Sequence, residues 1–188
     1  MNFKKLVVAS SLLVSVLSAG NYEVDKSHSN IAFKVKHLML SSAKGSFDNF
    51  SGSFEYDEKS GVLKSLSGEV LSNTIYTNNE GRDKDLKAED MLDTKKFPKI
   101  YFTLTKFEDN FVYGDITIKG VKKNIKLVYE NNGHAKDPWG NYRAAFELRG
   151  KINRKDFGLT YNKLLESGGL IVGDVVKISI EIEGIKKL

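Results

Sequence analysis

The chain has 188 residues, 40% hydrophobic and 28% charged, with no cysteine and a formal net charge of +5. Without cysteine there is no disulfide framework, so stability rests on a hydrophobic core, which a single domain of this length can build. Setting aside Lys4 and Lys5 of the leader lowers the 29 basic residues to 27 against 24 acidic ones, a balance of +3; the lysines are spread along the chain, which gives nucleic-acid binding little support.

Residues 1–20 read as a secretory signal. Lys4 and Lys5 form a basic start, Leu6 to Leu17 is an apolar run, and Ser18, Ala19 and Gly20 are the small residues a signal peptidase accepts. The run is too short for a comfortable bilayer anchor, and no later segment is apolar enough to span. Residues 21–188 are therefore expected to form one soluble domain outside the cytoplasm.

The first predicted strand lies in the segment from Tyr22 to His37, where Ile31, Phe33, Val35 and His37 share one face and Lys34 and Lys36 the other. A Ser- and Gly-rich stretch follows, then Phe50, Gly52, Phe54 and Tyr56 alternate with Ser51, Ser53 and Glu55. After a turn at Asp57 to Gly61, a run from Val62 to Thr77 carries Leu66, Val70, Leu71 and Ile75, with a parity change between Val70 and Leu71 that predicts a bulge. From Asn78 to Thr94 the pattern is helical: Ala88, Met91 and Leu92 have i, i+3, i+4 spacing, Asp83 and Asp85 lie near the start, and Phe97-Pro98 closes the segment.

Strands then return. Ile100, Phe102 and Leu104 mark one, Val112 to Ile118 another, and Ile125, Leu127 and Tyr129 a third, with Gly120 placed for a tight hairpin. A polar loop is expected from Asn131 to Asn141, carrying His134 and Trp139. The longest alternation follows: Tyr142, Ala144, Phe146, Leu148, Gly150 and Ile152 face one way, and Arg143, Glu147, Arg149 and Lys151 the other. A corner at Asn153 to Asp156, a loop from Lys155 to Gly173, and alternation of Val176, Ile178, Ile180 and Ile182 complete the chain. About eight such strands with one short helix predict an all-β fold, an antiparallel eight-stranded barrel with the helix covering an end, because closure removes exposed edges. A barrel of that size either fills itself with side chains or encloses one small ligand.

The order of several motifs resembles the YceI-like family over Tyr22 to Gly184. They are Tyr22-x-Val24-Asp25-x-x-His28-Ser29, Phe33-x-Val35-x-His37, Gly45-x-Phe47, Thr77 with Arg82-Asp83 and Leu86, and Phe97-Pro98-x-Ile100-x-Phe102. Gly114-Asp115-x-x-Ile118-x-Gly120-Val121 and Ile152-Asn153-Arg154-x-Asp156-Phe157-Gly158 complete the set. One departure is Met91-Leu92, where aromatic residues are expected after the helix. The resemblance implies a lipocalin-like barrel in the periplasm that binds an isoprenoid amphiphile, such as a polyprenyl phosphate or a quinone tail, without catalysis and without a catalytic cofactor.

On that reading Phe33, Val35, His37, Phe54, Ile75, Phe102, Leu104, Ile116, Ile118, Phe146, Leu148, Ile178 and Ile180 line the bore. The same alternation would serve a solid core, and the alternatives are a lipid-modifying enzyme or a stress-related interaction module with such a core. His28, His37 and Asp25 invite a metal reading, but no spacing places a full ligand set, and no metal site is expected. His37 could meet a head group inside the bore. Arg154 and Asp156 in the corner, and Arg82 at the helix start, either bind an anionic head group or pair internally to shape their loops. Trp139 either clamps a barrel mouth or packs under it. No Gly-rich phosphate motif, nucleophile elbow or metalloprotease helix occurs, and pairing of two barrels into a homodimer is left open.

Overall fold

The structure, a computed structural model, describes residues 19–161 and 171–187. The expected leader lies outside the described residues except for Ala19 and Gly20, and so do residues 162–170 of the loop expected between Lys155 and Gly173. The strands are β1 (Ala19–Val24), β2 (Asn30–His37), β3 (Ser41–Phe47), β4 (Phe50–Asp57), β5 (Val62–Leu71), β6 (Ile75–Tyr76), β7 (Lys99–Glu108), β8 (Phe111–Ile118), β9 (Val121–Lys136), β10 (Tyr142–Asn153) and β11 (Val172–Lys186), with one helix, α1 (Glu80–Lys87). Eight of the strands close an antiparallel ring in the order β1, β4, β5, β7, β8, β9, β10, β11 and back to β1.

The ring is wider on one side because β11 is long enough to serve two partners. Its last residues pair with β1, and Val172 to Glu181 pair with β2, which continues to β3 and β6. The segment expected as one strand from Tyr22 to His37 is therefore two. The break is chemical: the Asp25 carboxylate accepts from the Ser27 amide at 3.0 Å and the Asp25 carbonyl from the His28 amide at 3.1 Å, closing a 3₁₀ turn over Lys26–His28.

Three other expectations are corrected. The parity change at Val70 and Leu71 is the end of β5, followed by a 3₁₀ turn at Ser72–Thr74, and the register shift lies at Glu55/Tyr56 instead. The helix ends at Lys87, so Ala88, Met91 and Leu92 lie on the turns after it, with Met91 and Leu92 buried. Strand β9 runs through Lys136, which reduces the expected polar loop to a tight turn. Asp137 organises that turn by accepting from the Trp139 and Asn141 amides at 3.0 and 2.8 Å. The hairpin between β8 and β9 is as expected, with Lys119 and Gly120 both at positive φ, 50° and 77°, the combination whose twist suits a two-residue connection.

The interior divides into two zones. At the β1 end the cross-section is filled: the rings of Tyr22 and Phe54 stack at 5.1 Å, Phe146 meets Phe54 edge-on at 5.1 Å, and Tyr129 packs on Phe146 at 5.8 Å. The two tyrosine hydroxyls are satisfied, that of Tyr22 donating to Glu58 at 2.8 Å and that of Tyr129 to the Gly61 carbonyl at 2.7 Å. At the α1 end Ile75, Leu92, Ile116, Ile118 and Phe157 form a second apolar cluster, which surrounds open space.

Candidate functional site

The open space is a cavity of about 210 Å³ between the aromatic zone and the α1 end. Its walls come from alternate residues of the strands. They are Phe33 and Val35 of β2, Ile75 of β6, Phe102 of β7, Ile116 and Ile118 of β8, Leu148 of β10, and Ile178 and Ile180 of β11. Leu66, Leu127 and Ile182 form its floor. Leu86, Met91 and Leu92 close over it from α1 and the turns beyond, and Phe157 and Leu159 from the corner after β10.

Four residues expected in the bore are elsewhere. Phe54 and Phe146 have the expected inward phase but belong to the aromatic zone below, where their own contacts fill the space. Leu104 packs against that same zone. His37 is the last residue of β2 and is exposed, lining a polar groove with Ser41, Lys44 and Arg82. Ile100, Ile152 and Val176, in phase with chosen neighbours on their strands, line the cavity and were legible in the alternation. Met91, Leu92 and Leu159 were not, because they sit on turns.

Arg154, among the residues lining this cavity, is a charged side chain only 2% exposed. Its guanidinium donates to the carbonyls of Gly173 at 3.0 Å, Leu159 at 2.6 Å and Val172 at 3.4 Å, and to the Asp174 carboxylate at 3.2 Å. The corner is thus tied to the start of β11 by one fork of donors, the role for which arginine's geometry suits it. Asp156 is exposed and is not the partner of Arg154, contrary to the internal pair considered for this motif; Asp174 takes that place. Gly158 ends the corner in the left-handed conformation at φ 72°.

Arg82 is at the surface and turns back onto its own loop, with Nε donating to the Thr77 hydroxyl at 2.8 Å and Nη2 to the Thr77 carbonyl at 2.7 Å. The same hydroxyl donates to Asp83. Thr77, Arg82 and Asp83 therefore fix the entry to α1, which Asn79 caps by accepting from the Arg82 amide at 2.8 Å.

Asp25, His28 and Glu183 bring ligating atoms within 4.8 Å of one another at the closed end. The positive charge between the two carboxylates is that of Arg143, whose Nη1 donates to Asp25 at 2.8 Å and to Glu183 at 2.6 Å, while its Nε donates to Asp137 at 2.8 Å. The Ser27 hydroxyl and then Arg143 hold the Asp25 carboxyl far below its ordinary range; Arg143 does the same for Asp137. Trp139, on the turn after β9 at this same end, is 82% exposed and neither clamps the cavity nor packs beneath the barrel. No helix among the described residues is long and apolar enough to cross a membrane.

A family model described as the YceI-like domain matches residues 22–184. The chain is 40% identical over 148 residues to UPF0312 protein YE1254 of Yersinia enterocolitica, covering 76% of this chain and 77% of that relative. Among solved structures it is similar to the Campylobacter jejuni YCEI protein, with 32% identity, a TM-score of 0.70, and coverage of 81% of this chain and 90% of that one. A polyisoprenoid binding domain from Saccharophagus degradans shares the fold at 15% identity and a TM-score of 0.65, covering 88% of this chain and 98% of that domain.

Proposed function

The chain belongs to the YceI-like family, and on that premise we propose that it is a binding protein that takes the tail of an isoprenoid amphiphile into the cavity above the aromatic core. The observation that carries this reading is the apolar cavity of about 210 Å³ in a fold whose alternation would equally have served a solid core. An apolar cavity of roughly 150 Å³ already stays dry and holds a six-carbon ring, so the space suits about two five-carbon units. Each unit gains on the order of 3 to 4 kcal/mol on leaving water, and two approach the roughly 8 kcal/mol of a micromolar complex before ordering costs.

The branched side chains of Val35, Ile75, Ile116, Ile118, Ile178 and Ile180 offer a surface matched to a methyl-branched tail, and the name of the Saccharophagus domain supports the same ligand class. A polyprenyl phosphate or a quinone tail is the expected cargo, with the polar head left at the α1 end. The leader-like residues 1–20 support export to the periplasm, with residues 21–188 as the working domain. The role is binding and carriage, without a catalytic step.

The test is organic extraction and native mass spectrometry of the purified chain, followed by uptake of polyprenyl and quinone-tail analogues. One tail per barrel is expected. A chain that carries no lipid and takes up neither analogue refutes the proposal.

A further inference from the structure

Register places four lysines side by side on the outer wall. Lys151 of β10 pairs with Lys177 of β11, Lys177 with Lys34 of β2, and Lys34 with Lys44 of β3. All four are exposed, and none makes an ion pair among the described residues. With strands about 4.8 Å apart, the row spans roughly 15 Å. Like charges directly opposite one another destabilise a sheet, so folding alone gives no reason for such a row.

The row leads to an apolar tip. Two residues beyond Lys34 is Lys36, and then β2 turns into β3 through Leu38, Met39 and Leu40. Met39 is 68% and Leu40 85% exposed. Leu38 and Met39 hold φ of 52° and 59°, a conformation that glycine and asparagine adopt far more readily than large apolar residues. Between Asp25 and Asp48 the chain carries Lys26, Lys34, Lys36 and Lys44 and no acid. The tip adjoins the cavity, since Val35 lines it and the Leu38 amide donates to the Ile171 carbonyl at 2.9 Å, next to the cavity-lining Val172.

We propose that the lysine row and the Leu38–Leu40 tip form a docking surface for an anionic lipid bilayer, from which the cavity is loaded. The inference rests on the cargo reading above, since an amphiphile with a long tail resides in a membrane. Lysines near an anionic surface each add attraction, and exposed apolar side chains beside them enter the headgroup region, which is the combination that holds peripheral proteins at an interface. A soluble polyanion would match the row but gives no role to the tip, whereas a bilayer uses both. The acids Glu89, Asp90 and Asp93 follow α1, so the β2–β3 side is the one that faces the lipid.

The experiment is flotation with vesicles of phosphatidylglycerol and phosphatidylcholine, against vesicles of phosphatidylcholine alone. Uptake of a short, water-soluble isoprenoid probe is measured in parallel. The chain is expected to float with the anionic vesicles only. The double variant Lys44→Glu, Lys177→Glu alternates the charges along the row, so its melting temperature should hold or rise while vesicle affinity falls more than about fivefold per changed lysine. Met39→Ser with Leu40→Ser should weaken flotation by about tenfold or more, and both variants should still take up the soluble probe. Probe uptake with no flotation of the wild-type chain overturns the docking surface and leaves the cargo reading standing; flotation without probe uptake does the reverse. Binding of heparin with no binding of either vesicle also overturns the proposal, in favour of a soluble polyanion. Flotation unchanged in both variants overturns it as well.

Discussion

The ring of Phe102 lies across Gly114 so closely that a β-carbon on Gly114 would fall 2.2 Å from the tip of the ring. Phe102 also lines the cavity, so a glycine on β8 sets how far this ring withdraws from the space a ligand would use. Gly114→Ala should drive Phe102 inward, costing about 1 to 3 kcal/mol through overpacking and weakening uptake of an isoprenoid probe. A thermal melt and a probe titration on the same variant check both effects.

Ile118 and Phe146 both face inward, but they occupy different zones. Phe146 is fully buried among Phe54 and Tyr129, so Phe146→Ala should lose about 3 to 5 kcal/mol of stability in a denaturant titration. Ile118 borders open space, and Ile118→Phe should fill part of it. Probe uptake should fall several-fold while the melting temperature changes little.

Chain length gives a separate test. A cavity of about 210 Å³ is filled by roughly two isoprene units, so affinity should rise steeply from a one-unit to a two-unit tail. Further units should add much less, because they must displace side chains or remain outside. Isothermal titration of a tail-length series reads this directly.

Arg154 holds three backbone carbonyls and Asp174 at once. Arg154→Met should cost about 3 kcal/mol or more, because buried acceptors lose their donor. Arg154→Lys should recover only part of this, since an ammonium lacks the fork. If Arg154 builds the corner instead of reading a head group, neither variant should change the ratio of affinities for phosphate-headed and quinone-headed probes.

Acid stability follows from Asp25 and Asp137, whose carboxyls are held far below their ordinary value. A lowered folded-state value contributes stability that is complete above the unfolded carboxyl value, near 3.9, and is lost as pH falls through the folded one. The melting temperature should therefore decline below about pH 4. In Arg143→Ala the decline should be shallower, because Asp137 loses the main cause of its shift while Asp25 keeps the Ser27 hydroxyl.

Alternation made the long strands legible, because one face of β8, β10 and β11 is dry and the other wet along most of their length. It could not tell Phe146 from Leu148. These neighbours on one face of one strand have the same phase, and rings arriving from β4 and β9 decide that the first is walled in while the second borders the cavity. Strand β3 was hidden because Ser41–Phe47 carries serine, glycine and lysine in place of branched residues. His37 shares the phase of Phe33 and Val35, and nothing in its own spacing marks that it ends β2 at an exposed position beyond the cavity. The lysine row is likewise invisible in sequence, since its members lie far apart and only the register aligns them.

The most direct measurement is a crystallographic map of the chain purified and then loaded with a two-unit isoprenoid probe. Continuous density is expected between Phe102, Ile118, Leu148 and Ile180, ending above the Phe54 and Phe146 rings. A probe found only on the outer wall, with those side chains closed together across the barrel, would contradict the hollow half on which the function rests.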